Sequence, residues 1–267
     1  MLESVGRRAI GAAVDVGRLT VQLWRALASL PRTLPIVGNR RRWRAAILQM
    51  LAIGVEAVPV VAIMSFCAGF VGSLQAAAEL RRFGAVSNVV YFVAVGFARE
   101  LGALVTAIAV SGRSASAIAA EVGTMVVTQE VDALRVMGLD PVAYTLAPKY
   151  LGALITVPCL TVLSTFFGIA AGYCFLSFSI DMTARMYFRD VVASILVRDI
   201  VLTLVKSVIF ATIIVHVGYM EGLRVSGGPE AVGSGTTAAV VKSTFLVIVA
   251  DLAATTLFYL MGWSSAG

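Results

Sequence analysis

Arg99 and Glu100 stand side by side inside an apolar stretch that runs from Val86 to Val110. Lys206 stands inside another, from Val191 to Met220. Ionised side chains at such positions are costly to bury and are retained where they pair, line a cavity or meet a polar ligand. The three are therefore expected to pair with one another. Two readings remain open: a polar patch that lines a cavity, holds an anionic headgroup or gates a path, and an ion pair that only fixes helix packing. Asp251, in a further apolar stretch, is a weaker candidate, with Lys206 or Lys242 as its partner.

Conventional catalytic groups do not assemble. His216 is the single histidine, so no Ser/His/Asp or Cys/His arrangement is available. Cys67, Cys159 and Cys174 all lie in apolar runs and have neither disulfide nor metal-ligand spacing. Glu56, Glu100 and Asp251 are scattered over three runs, which disfavours a carboxylate-based membrane enzyme. The segment from Gly228 to Gly235 looks like half of a phosphate loop, but Ser234 and Gly235 follow Gly233 where Gly-Lys-Ser/Thr would be needed. No nucleotide site is expected in this chain, and none for a metal. If ATP drives a process here, a separate subunit binds it.

The elements that position these residues are membrane spans. The chain has 267 residues, 59% hydrophobic and 13% charged, about half the charge of a soluble domain. A span needs roughly 20 apolar residues. Five runs qualify: Ala45 to Leu80, broken by Glu56 and Pro59; Val86 to Val110; Tyr144 to Phe178, with Pro148, Pro158 and a Gly168-x-x-x-Gly172 spacing that allows close helix approach; Val191 to Met220; and Ala238 to Trp263. The expected class is all-α and integral to the membrane, as a single domain over 1–267, with 1–44 basic and 45–263 transmembrane.

Of the 21 Lys and Arg residues, nine precede Ala45 (Arg7, Arg8, Arg18, Arg25, Arg32, Arg40, Arg41, Arg42 and Arg44). Beside a span, such a block meets anionic lipid rather than nucleic acid. Arg18, Gln22, Arg25, Ser29 and Arg32 share one helical face, and Val16, Leu19, Leu23, Leu27 and Leu30 the other. Residues 4–30 therefore read as an uncleaved amphipathic helix in the membrane surface, or as a surface helix on a partner protein. The excess of Lys and Arg predicts a cytoplasmic N-terminus and, after five spans, a periplasmic or external C-terminus.

Between the second and third spans, Ser114 to Met137 has helical character and ends at Gly138 and Pro141. Glu121, Thr128, Asp132 and Arg135 fall on one face, while Ile118, Val122, Val126 and Met137 can face the other way. Docking into a cleft of a cytoplasmic partner would explain both faces.

The residues Phe97-Ala98-Arg99-Glu100-Leu101-Gly102, Ser111 to Met125, Thr128 to Leu134 and Met137-Gly138-Leu139-Asp140-Pro141 resemble the signature of the MlaE/YrbE permease family, and Lys206 to Ala211 resembles its fourth-span motif. Members of that family are membrane subunits of ABC transporters that move phospholipids between the inner and outer membranes of Gram-negative bacteria. The resemblance implies a homodimer in the inner membrane and two ATP-binding cassette subunits that carry ATP and magnesium. It also implies an MCE-type periplasmic protein and, in some complexes, a STAS-domain subunit. It implies an N-terminal interfacial helix, five spans and a coupling helix between spans two and three. Arg99, Glu100 and Lys206 match the family's polar residues near the lipid cavity, and Ser73-Leu74-Gln75 lies where its first span lines that cavity.

The expected cavity or gate residues are thus Arg99, Glu100, Lys206, Phe66, Phe70, Leu74 and Gln75, with the aromatic and aliphatic members holding acyl chains. The expected ATPase-coupling residues are Glu121, Thr128, Glu130, Asp132 and Arg135. Two other functions compete: a proton-coupled secondary lipid transporter relaying through Glu100, Lys206 and Asp251, and a non-transporting membrane anchor for an MCE protein.

Overall fold

A computed structural model describes residues 40–85 and 88–261. The amphipathic helix expected over residues 4–30 lies outside them. Every regular element among the described residues is helical. The helices are α1 (Arg40–Ile53), α2 (Val58–Arg82), α3 (Val89–Gly96), α4 (Gly102–Val110), α5 (Ser116–Val127), α6 (Glu130–Val136), α7 (Ala147–Ile180), α8 (Ala184–Ser194), α9 (Val197–Leu223) and α10 (Pro229–Leu260).

Five of the resulting rods are long and apolar enough to cross a bilayer, as expected: Ala46–Arg82, Val89–Val127, Tyr144–Ile180, Val197–Leu223 and Pro229–Leu260. The first joins α1 to α2 through Gly54 and the single tight turn Val55–Ala57. Pro59, Pro148 and Pro229 sit in the first turns of α2, α7 and α10, where the N–H that proline lacks has no helical partner to lose. The second span is one continuous rod in which two π turns, Phe97–Leu101 and Ser111–Ala115, connect α3, α4 and α5.

The second rod differs from the sequence reading. A span was expected to end at Val110, followed by a separate helix from Ser114 to Met137. The 39 residues from Val89 to Val127 instead make a rod of about 58 Å at 1.5 Å per residue. The hydrocarbon core is about 30 Å thick, so the rod continues well beyond the bilayer. The backbone stays helical past Gly112 because α5 is held by packing: Ile118, Ala119 and Val122 are buried against α9 and α10. Gly222 of α9 approaches so closely that a Cβ there would meet Val122. The break comes at Gln129, whose φ of 60° is left-handed, and only Glu130–Val136 forms a separate short helix.

The second and fourth spans are the most enclosed, while the first and fifth expose most of their apolar surface. The first span packs chiefly along the third. Gly69 lies against the Gly168 backbone, and any Cβ on Gly168 would collide with the ring of Phe97. The Gly168–Gly172 spacing therefore serves close approach, with Gly172 facing Ser73 and Tyr187. Ser65 and Ser164 hydroxyls share a hydrogen bond of 2.7 Å across the same seam.

Helix α8 connects the third and fourth spans and packs chiefly against α3 of the second. Tyr187 and Val191 are buried, and the Tyr187 hydroxyl donates to the Ile169 carbonyl at 2.8 Å. Burial raises this phenol above its ordinary pKa. Phe188 and Val192 flank the buried face, and Arg185 and Arg189 are exposed, which is the distribution of a helix seated at a membrane surface.

Candidate functional site

The π turn Phe97–Leu101 widens the second span where Arg99 and Glu100 occur. Neighbouring residues on a helix point about 100° apart, so the two charges address different partners. Arg99 turns toward the start of α9, where its Nε donates to Asp199 Oδ1 at 2.7 Å. Asp199 is fully buried and also accepts from the Leu196 N–H at 3.1 Å, closing the first turn of α9. Four residues further along, the Thr203 hydroxyl donates to the Ala98 carbonyl inside the same π turn.

Glu100 turns toward α9 and α10. Lys206 Nζ lies 2.5 Å from Glu100 Oε2, 2.7 Å from the Thr255 hydroxyl and 3.0 Å from Asp251 Oδ1. Thr255 donates in turn to Glu100 Oε1 at 3.1 Å. The ammonium thus donates to Glu100 and Thr255 and pairs by charge alone with Asp251, three oxygen groups from two spans. Lys206 is 1% exposed, Asp251 14% and Glu100 37%. Glu100 is 11 residues from Val89 and Lys206 nine from Val197, so at 1.5 Å per residue both lie about 15 Å into their helices, well inside the apolar spans.

One lysine between two carboxylates leaves formal negative charge at that depth. A buried ammonium needs such partners, because ions in a low-dielectric interior are costly unless paired and hydrogen-bonded. The half-open carboxylate of Glu100 can exchange its contact for another cation. That is the chemistry the cluster offers: a polar switch point within an apolar bundle.

The structure therefore joins Glu100 and Lys206 as expected and adds Asp251, the weaker candidate. It separates Arg99, which pairs with Asp199. Lys242, the other partner considered for Asp251, instead meets Glu221 at 2.8 Å, and Arg224 meets the same buried carboxylate at 2.8 Å. Asp199, Thr203 and Thr255 escaped the sequence reading. Asp199 carries an N3 capping signal, three residues after Leu196. Thr203 and Thr255 are four residues from Asp199 and Asp251, one helical turn away, and that spacing was the available sign.

Phe66, Leu74 and Gln75 are exposed along α2, and Phe70 packs edge-on to Phe175 with centroids 5.6 Å apart. Ser73 is buried and returns its hydroxyl to the Gly69 carbonyl at 2.7 Å. Within one chain the first and fifth spans share no extensive interface, so these residues and the Lys206 cluster do not line a common wall.

At the far end of the second rod, Thr128, Glu130, Asp132 and Arg135 are exposed. Val131 and Leu134 are buried and hold α6 against the bundle. Arg135 pairs with Asp132 at 2.8 Å, and the Thr128 hydroxyl donates to Glu130 at 3.2 Å. Glu121 behaves differently from the others: it neutralises Lys149, a buried residue at the base of α7, at 2.6 Å. Met137, expected on the face opposite the charges, is exposed together with Val136, Leu139 and Tyr144. The connection thus presents charges and apolar side chains on one surface.

Comparison with known proteins places this arrangement among membrane permeases. The family described as Permease MlaE matches residues 46–257. A probable ABC transporter permease protein of Rickettsia bellii is 33% identical over 256 residues, which is 96% of each chain. A probable ABC transporter permease protein of Synechocystis is 32% identical over 218 residues, 82% of this chain and 83% of its own. A chloroplastic protein of Arabidopsis thaliana named trigalactosyldiacylglycerol 1 is 30% identical over 242 residues, 89% of this chain and 69% of its own.

Proposed function

The chain belongs to the MlaE permease family and is a multi-pass membrane permease subunit; we propose that it moves phospholipids between two membranes as part of an ATP-driven complex. Relatives named as ABC transporter permeases imply an ATPase partner, and the name of the Arabidopsis relative refers to a glycerolipid. The observation that carries the lipid reading is the Glu100–Lys206–Asp251–Thr255 cluster, polar and partly open well inside the apolar spans.

In this reading two copies of the chain enclose a cavity. The face of α2 that carries exposed Phe66 and Leu74 and half-buried Phe70 contacts acyl chains, and Gln75 and the Glu100–Lys206 cluster meet the headgroup or gate its passage. Such exposed apolar faces on the first and fifth spans need either lipid or a second copy beside them. Two ATP-binding cassette subunits, carrying ATP and magnesium, grip the surface formed by Thr128, Glu130, Asp132, Arg135, Val136 and Met137. The unbroken helix from Glu100 to Val127 then transmits their closure. An MCE-type protein receives or delivers lipid on the opposite side, with a STAS-domain subunit as a further component. The setting is a bacterial inner membrane with the N-terminus in the cytoplasm. A ligand can drive such a change only through different affinity for its two states, and the exchange of Lys206 between carboxylates and a headgroup supplies that difference.

Reconstitution of the permease with its ATPase in liposomes tests the proposal: labelled phospholipid should move only with ATP. A second reading has one observation in its favour, because Glu100, Lys206 and Asp251 are in direct contact, as a proton relay would require. Movement driven by a pH gradient in the absence of the ATPase would select that reading instead.

A further inference from the structure

A second apolar space lies on the other side of the second span. Its volume is about 210 Å³, its wall is almost wholly apolar, and residues of the second, third and fourth spans and the end of α8 enclose it. Ala98 forms one side, Val162 and Phe166 a second, Ile200 and Leu204 a third, and Ile195 closes the end beside α8. Val162, Phe166 and Ile200 remain about half exposed, so the space opens sideways toward the bilayer and not into the helix core. Pockets for compact organic ligands are larger, roughly 300–1,000 Å³; a narrow apolar slot of this size suits a single hydrocarbon chain.

The charge beside it is the second observation. Ala98 and Ile200 of the slot wall are the chain neighbours of Arg99 and Asp199, so this ion pair lies within one residue of the wall without forming it. Asp199 belongs to the first turn of α9, near Ile195, while Leu204 is five residues, about 8 Å, further along the helix. The positive group is thus at the end of the slot nearest the membrane surface. Asp199 engages Nε of Arg99, one of five N–H donors on a guanidinium, and the Arg99 side chain keeps 31% of its surface exposed. A cation at the surface end of a lipid-facing apolar slot matches the layout of a phospholipid.

We propose that this is a lateral phospholipid site, with one acyl chain in the slot between the second, third and fourth spans and the phosphate on the remaining N–H groups of Arg99. It takes no wall from the first or fifth span and is distinct from the transport cavity between two copies, so it stands or falls independently of that reading.

The test uses the permease together with its ATPase in nanodiscs that contain a phospholipid bearing a diazirine in mid-chain. After illumination, adducts are mapped by mass spectrometry. Adducts near Val162, Phe166 and Leu204 should saturate as the probe fraction rises and be displaced by unlabelled phospholipid. At Ile155, exposed on the third span outside the slot, they should rise in simple proportion. Val162→Trp, and independently Ile200→Trp from the other wall, should cut slot adducts about fivefold without changing those at Ile155. Arg99→Gln should weaken retention about threefold, and Arg99→Lys less, because a guanidinium contacts phosphate with two donors. Proportional labelling at both places, unaffected by either tryptophan in a complex that still elutes intact, would overturn the proposal. So would displacement by free fatty acid but not by phospholipid, or loss of slot labelling only when a partner's transmembrane helix is present.

Discussion

Lys206 of the fourth span and Glu100 of the second meet at 2.5 Å across 106 residues of sequence. Asp251 and Thr255 of the fifth span complete the contact, so a single ammonium ties three spans together. Its removal leaves two carboxylates sharing one apolar site. Lys206→Ala should therefore destabilise the permease by about 3 kcal/mol, the low end for a broken buried pair because Glu100 is partly exposed. Adding Glu100→Gln should restore part of that loss. Thermal unfolding in detergent, followed by helical circular dichroism, reads both effects.

Arg99 belongs to a different unit. Its partner is Asp199 at 2.7 Å, and it shares no partner with Lys206. A double-mutant cycle between Arg99→Gln and Asp199→Asn should show a coupling of about 1 kcal/mol or more. The cycle between Arg99→Gln and Lys206→Ala should be additive to about 0.5 kcal/mol. Comparable coupling in the two cycles would mean that the three charges form one network after all.

The exposed connection should separate binding from folding. Glu130→Arg, Asp132→Arg and Met137→Ser change side chains that make no buried contact, so each should alter stability by less than about 0.5 kcal/mol. Each should nevertheless reduce the amount of ATPase that copurifies with the permease. Glu121→Arg should behave otherwise, since it would strand the buried Lys149; a loss of thermal stability is expected there.

Gly168 has no room for a side chain, with the Phe97 ring and the Gly69 backbone both against it. Gly168→Val should force the first and third spans apart and cost about 3 kcal/mol. Because Phe97 opens the π turn that carries Arg99 and Glu100, the same substitution should also displace the charged site. Unchanged melting and unchanged lipid handling in this variant would contradict the packing.

The sequence made the spans legible because five apolar runs longer than a bilayer crossing have no other economical fold. It also exposed the charges worth following, since Arg99, Glu100 and Lys206 contrast with everything near them. Partner identity was less legible. Arg99 and Glu100 are adjacent in sequence, and nothing in their spacing says that a π turn sends them to different helices. The end of the second span was misplaced for a related reason: Ser111 to Ser116 reads as a polar exit from the membrane, yet packing of Ile118 and Val122 against α9 keeps the backbone helical for another three turns. Met137 was placed on the face opposite the charges from a periodicity that continues across Gln129, whereas the left-handed backbone there resets the register.

The central claim is that this permease moves phospholipid under the control of an ATPase, through the Lys206 cluster. The most direct measurement is transfer of labelled phospholipid from liposomes containing the permease–ATPase complex, comparing the native chain with Lys206→Ala in complexes of equal composition. ATP-dependent transfer by the native complex and its loss in Lys206→Ala, with ATPase subunits still bound, is the predicted result. Equal transfer by the two complexes, or transfer that proceeds without ATP, would contradict it.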